Sequence, residues 1–81
     1  MFYVYILYSS SANRFYIGQT QDLQQRLQRH NNGYESATKP FIPWELKCAI
    51  QKNSRSEAIV LEAKLKNLNK NKLLAFIQKY S

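Results

Sequence analysis

At 81 residues the chain has room for one small domain, and a core of that size needs nearly every aromatic and aliphatic side chain for packing. Lys and Arg number 12 against 5 Asp and Glu, a formal net charge of +7 that favours polyanionic partners. The carboxylates (Asp22, Glu35, Glu45, Glu57 and Glu62) are scattered, which excludes a two-metal centre with ions roughly 3.5–4 Å apart and leaves one divalent ion as the upper limit.

Cys48 is the only cysteine and cannot close an internal disulfide, which favours a reducing setting. No apolar run is long enough to span a bilayer. The start, MFYVYILYSS, lacks the basic region and small-residue cleavage site of a secretory signal and reads as a strand. The expectation is a cytoplasmic protein with no membrane association.

In chain order, Phe2 to Tyr8 is β-branched and aromatic with apolar residues in both alternating sets, as in a central strand covered on both faces. Ser9 to Asn13 is turn-rich and Arg14 to Gly18 forms a second strand, giving a hairpin. Thr20 is placed to cap a helix over Gln21 to Asn31, with Asp22 at the positive end of its dipole and Asn32-Gly33 as its stop. Tyr34 to Pro43 holds both prolines and no period, so it reads as a loop. Trp44, Leu46, Cys48 and Ile50 alternate with polar residues as on a half-buried strand.

Ser54-Arg55-Ser56-Glu57 fits a capping box opening a helix to about Leu68. Asn69 then caps a last helix with Leu73, Phe76, Ile77 and Tyr80 on one stripe. The predicted order is β-β-α-β-α-α, an α+β domain with a three-stranded, mainly antiparallel sheet flanked by helices.

Five separated side chains could handle a phosphodiester: Tyr5, Tyr16, Arg26, His30 and Glu62. Arg26 and His30 lie four residues apart on the first helix and point the same way. One account makes His30 a satisfied, semi-buried histidine and Arg26 a surface charge with a packed stem. The other turns both over the sheet, where the guanidinium fork holds a phosphate oxygen.

Glu62 falls among Ala58, Leu61 and Leu65 on the buried side of its helix, and a carboxylate there needs a compensating partner. That partner is either Lys66, one turn along, or a divalent cation completed by water and substrate phosphate. Glu57 belongs to the capping box and has no catalytic role. Tyr5 and Tyr16 are either packing residues or two hydroxyls brought into one site by the hairpin, each needing a polar partner where buried. Gly18 permits close approach to the backbone at the strand's end. Tyr34 is an outside candidate for base or ribose stacking.

Tyr3-Val4-Tyr5, Tyr16-Ile17-Gly18, the run Thr20, Asp22, Leu23, Arg26, Leu27, His30, Asn31 and Gly33, and the stretch Arg55 to Ile77 form an ordered set. That set resembles the GIY-YIG nuclease superfamily over almost the whole chain. More narrowly it resembles the small single-domain bacterial endonuclease-like members related to the N-terminal nuclease domain of the excision-repair subunit UvrC.

The resemblance implies a single divalent ion, Mg²⁺ or Mn²⁺, on Glu62. Tyr5 and Tyr16 would position or deprotonate the attacking water, Arg26 would stabilise the pentavalent phosphate, and His30 would assist there. Gly18, Gln19, Lys66, Lys70 and Lys72 would contact substrate. A free phenol has a pKa near 10, so a general-base tyrosine needs its anion favoured by the metal and Arg26.

The sequence departs from the superfamily pattern in three places. Tyr3 replaces the first motif's leading glycine, and Gln19 stands where some members carry lysine. The asparagine that many members place in the last helix has no clear counterpart among Asn67, Asn69 and Asn71.

Three functions follow as expectations. The first is a metal-dependent endonuclease acting on DNA, in repair or recombination. The alternative is a nucleic-acid-binding module that keeps the nuclease fold with weak or no catalysis. The third is an interaction protein that does not act on nucleic acid, such as a homodimer formed through its aromatic surface.

Overall fold

A computed structural model describes all residues, 1–81, and gives the order β1 (Phe2–Ser9), β2 (Arg14–Thr20), α1 (Leu23–Asn31), a 3₁₀ turn (Lys39–Phe41), β3 (Glu45–Lys52), α2 (Arg55–Lys66) and α3 (Lys70–Tyr80). The strands form one sheet in the order β2-β1-β3, with both pairs antiparallel. β1 is central, and its doubly apolar pattern fits a strand whose two faces are both covered by helices and loops. No helix is long and apolar enough to cross a membrane.

The two faces of the sheet are covered differently. Val4 and Ile6 point to one side, where they pack with Cys48, Ala58, Leu65 and Leu73 under α2 and α3. Burying side chains of this size contributes about 1.5–3 kcal/mol each for the larger aliphatics. Tyr5 and Leu7 point to the other side and pack with Trp44 under α1 and the loop that follows it. Burial pushes the pKa of the Cys48 thiol up, consistent with a packing role.

Several local expectations are corrected. β2 runs two residues past Gly18, to Thr20. The N-cap of α1 is Asp22 and not Thr20: Asp22 Oδ1 accepts the Gln25 N–H at 3.0 Å, while Thr20 Oγ1 accepts the Asp22 N–H at 3.1 Å. A carboxylate reaches the third amide of the helix better from Asp22, so the threonine organises the turn before it.

The regular alternation expected of Trp44, Leu46, Cys48 and Ile50 is also broken. The β1–β3 register shifts between Ile6, opposite Cys48, and Leu7, opposite Leu46. One extra residue in β3 therefore sends Trp44 to the α1 face and Cys48 to the α2–α3 face. Leu46 stays 40% exposed as a result.

Other signals act as expected. Ser54 Oγ accepts the Glu57 N–H at 3.2 Å and Asn69 Oδ1 accepts the Lys72 N–H at 2.9 Å. Helix α2 ends at Lys66, with Asn67 as its C-cap, slightly before Leu68. Gly33 ends α1 at φ +79°, where its N–H reaches the His30 carbonyl and that of Tyr34 reaches Arg29, a Schellman closure. Tyr80 is half exposed and packs on Phe76, with ring centroids 4.6 Å apart.

Candidate functional site

The hairpin register sets Tyr5 opposite Gly18 and Leu7 opposite Tyr16, so the two phenols are diagonal neighbours on the α1 face. Their ring centroids are 6.4 Å apart. A methyl group at position 18 would stand 2.6 Å from the Tyr5 hydroxyl oxygen, so the glycine is there to let the phenol lie against β2.

Helix α1 lays Leu23 and Leu27 on this face and carries His30 to its end. His30 is 1% exposed, with Nε2 3.0 Å from the Tyr5 hydroxyl and Nδ1 2.8 Å from Thr38 Oγ1. Its ring centroid lies 5.0 Å from that of Tyr16.

Burial, aided by the neighbouring Tyr16 and opposed by the Arg26 charge, pushes the Tyr5 pKa up to about 12. Tyr5 therefore keeps its proton at neutral pH and donates it to Nε2. The neutral imidazole then donates from Nδ1 to Thr38, whose hydroxyl points on to the Glu35 carbonyl at 3.4 Å. The His30 pKa is lowered, chiefly by burial, with Glu35 opposing and Arg26 and Arg29 reinforcing the shift. Both buried rings are thus neutral and fully paired.

Thr38 is the member that sequence reasoning missed, because it lies in an aperiodic loop. Its position depends on Asn31, which belongs to the family-like run but has no role of its own in the sequence reading. The Asn31 side chain accepts the Trp44 N–H at 2.6 Å and donates to the Trp44 carbonyl at 3.0 Å, while the indole N–H reaches the Thr38 carbonyl at 2.9 Å. The loop is folded back on α1 by these contacts. Asn31 is the last helical residue before the Asn32-Gly33 stop, and nothing local in the sequence marks it as a clamp.

Arg26, partly buried, sits beside Tyr5 and opens onto a polar groove of about 440 Å³ beyond the end of β2. Gln19, Thr20, Gln21, Gln25 and Arg55 also line it. Arg55 is the second missed residue, since its place inside the capping box already accounted for the segment.

Glu62 approaches the same edge strand from the opposite face. Its Oε1 accepts from Gln19 Nε2 at 2.8 Å and its Oε2 pairs with Lys66 Nζ at 2.8 Å. The five expected residues are therefore not gathered into a single pocket. Tyr5, Tyr16, Arg26 and His30 cluster on one face, and Glu62 joins them only through Gln19, the neighbour of Gly18. Period two along β2 is the cause, since Gly18 and Gln19 must face opposite ways.

Of the expected substrate contacts, Gly18 is buried under Tyr5, Gln19 lines the groove, and Lys66 is held at Glu62. Lys70 lies at the other end of the hairpin, where its Nζ donates to Asn13 Oδ1 at 3.2 Å. Lys72 is exposed in the first turn of α3, and Tyr34 is exposed beside Arg29.

Glu62 is the one carboxylate at this place, and the Gln19 amide turns its N–H, not its carbonyl oxygen, toward Oε1. A hard divalent ion held there would take most of its coordination positions from water and phosphate oxygens. The Lys66 side chain is 56% exposed and that of Glu62 18%, so an ion at Oε2 would have to replace the lysine as the compensating charge.

Residues 1–79 match the family described as the GIY-YIG catalytic domain. The fold is similar to the solution NMR structure of the UPF0213 protein BH0048 from Bacillus halodurans. The TM-score is 0.62 and the identity 29%, covering 96% of this chain and 84% of that one. No curated protein matches the chain.

Proposed function

We propose that this chain, which belongs to the GIY-YIG family, is a metal-dependent endonuclease that hydrolyses phosphodiester bonds of DNA. The observation that carries the reading is Arg26, set beside the Tyr5–His30–Tyr16 cluster, facing a polar groove that also meets Gln19, the partner of Glu62.

The parts divide the chemistry as follows. Arg26 meets the charge that builds on phosphate oxygens in the transition state, a preorganised electrostatic role. Tyr16, the more accessible phenol, orients the attacking water. Tyr5, which keeps its proton, holds Tyr16 and His30 in place and does not act as the base at neutral pH. Glu62 would hold the divalent ion, Mg²⁺ or Mn²⁺, which when bound would supply Lewis acidity and stabilise the leaving oxygen. Processing of branched or damaged DNA in the cytoplasm, in repair or recombination, is the setting that goes with this activity.

Purified protein incubated with Mg²⁺ or Mn²⁺ and flap, nicked or single-stranded DNA tests it. Cleavage is expected, falling on the order of a hundredfold or more in Arg26→Ala and abolished in Glu62→Ala. No cleavage of any substrate, or cleavage indifferent to both substitutions, overturns it. One observation favours a second reading, a nucleic-acid-binding module without turnover: both Glu62 oxygens already have protein partners. Salt-sensitive DNA binding with no metal-dependent cleavage is its signature.

A further inference from the structure

The negative charges of this chain are almost all committed away from the groove. Glu35 pairs with Arg29, Glu45 with Lys47 and Glu62 with Lys66, while Glu57 lies within the Ser54 cap. Asp22, the one carboxylate lining the groove, accepts the Gln25 N–H as the cap of α1. Arg26 and Arg55 therefore face the same groove with no carboxylate within ion-pair distance of either. They arrive from helices on opposite faces of the sheet. Arg55, the first residue of α2, lies over the Phe2 ring with Cζ 5.3 Å from the centroid, a contact that holds its guanidinium plane. Apart from the Asp22 carboxylate and the Phe2 ring, the rest of the lining is neutral and hydrogen-bonding, from Gln19, Thr20, Gln21 and Gln25.

Two forked cations across a polar groove suit an anion that is extended, with more than one charged centre. We infer that Arg55 is a substrate-anchoring residue, binding the backbone phosphate next to the one Arg26 serves, so that a nucleotide strand runs across the end of the sheet. The identity of the anion rests on the nuclease reading. The geometry of the second cation does not. Arg55 acts on binding, and the reacting phosphate belongs to Arg26.

The test is binding of a fluorescent single-stranded DNA oligonucleotide in a chelator, across a series of KCl concentrations, so that no turnover is needed. Arg55→Gln is expected to weaken binding on the order of tenfold and to flatten the log–log salt slope by about 0.7, one phosphate contact on a single strand. Arg55→Lys keeps the slope and recovers only part of the affinity, because the charge survives and the fork does not. Lys79→Gln removes an equal charge in the last turn of α3 and should change affinity by less than about twofold under salt screening.

Wild-type affinity and slope in Arg55→Gln, or a loss no larger than that of Lys79→Gln, overturns the inference. Were Arg55→Gln to lose its helical circular dichroism, Arg55→Lys decides alone, and wild-type affinity there also overturns it. A wild-type protein whose binding depends on Arg55 but which never cleaves DNA would remove the nuclease reading and leave the anchor standing. Cleavage with binding indifferent to Arg55 would do the reverse.

Discussion

The two faces of the sheet are built from the same three strands and solve opposite problems. Under α2 and α3 the contact is aliphatic: Val4, Ile6, Leu65 and Leu73 interlock and need no partners beyond shape. Under α1 the buried groups beside Leu7 are Tyr5, His30, Thr38 and Trp44, each with a hydrogen bond to give or take. No buried side-chain nitrogen or oxygen is left without a partner. The first face can absorb a change of shape by relaxing. The second cannot lose one atom without stranding another, and that directionality is what fixes reactive groups beside an open groove. The two faces meet at the edge strand β2, where Glu62 and Arg55, both on α2, reach Gln19 and the groove from the aliphatic side.

Three substitutions or conditions can break or sharpen this contrast, in order of size. Leu65→Ala on the aliphatic face should cost about 2–5 kcal/mol in urea unfolding, through lost transfer energy and a residual cavity. DNA affinity of the folded fraction should be unchanged. A large affinity loss in folded Leu65→Ala would show that the faces are not separate.

Thr38→Val comes next. It leaves the His30 Nδ1–H without an acceptor and should cost about 1–3 kcal/mol. The Tyr5–His30 contact should loosen with it, seen as a shift of the imidazole NMR resonances. A neutral effect on both would mean that the hydrogen-bonded chain does not tie this face together.

The smallest effect is acid sensitivity. Burial lowers the His30 pKa below its ordinary 6.5, so the unfolded chain takes up that proton first as pH falls. The contribution is complete above about pH 6.5 and is lost progressively below it, by no more than about 1.4 kcal/mol per pH unit for one proton. The gap between the stability curves of wild type and His30→Gln should therefore stay constant above pH 6.5 and narrow below it. Parallel curves would place His30 in a more solvated setting than the fold gives it.

Much of the site was legible before folding because helix spacing puts Arg26 and His30 on one side, and a hairpin brings Tyr16 near Tyr5. What stayed hidden were partners contributed by irregular or already explained segments. Thr38 has no period to mark it, Asn31 stands just before the Asn32-Gly33 stop with no local sign of a partner, and Arg55 reads as part of a cap. The split of Trp44 from Cys48 was hidden for a related reason: a one-residue bulge leaves no trace in an alternating pattern, yet it reverses every side chain beyond it.

Local rules settled the element order, the central place of β1, the caps of α2 and α3, and the basic character of the molecule, because each depends on neighbours a few residues apart. The pairing of His30 with Thr38, the approach of Glu62 from the far side of β2, and the meeting of Arg26 with Arg55 were decided only in three dimensions. These contacts join residues distant along the chain, and their geometry depends on register and helix docking, which no short stretch of sequence encodes.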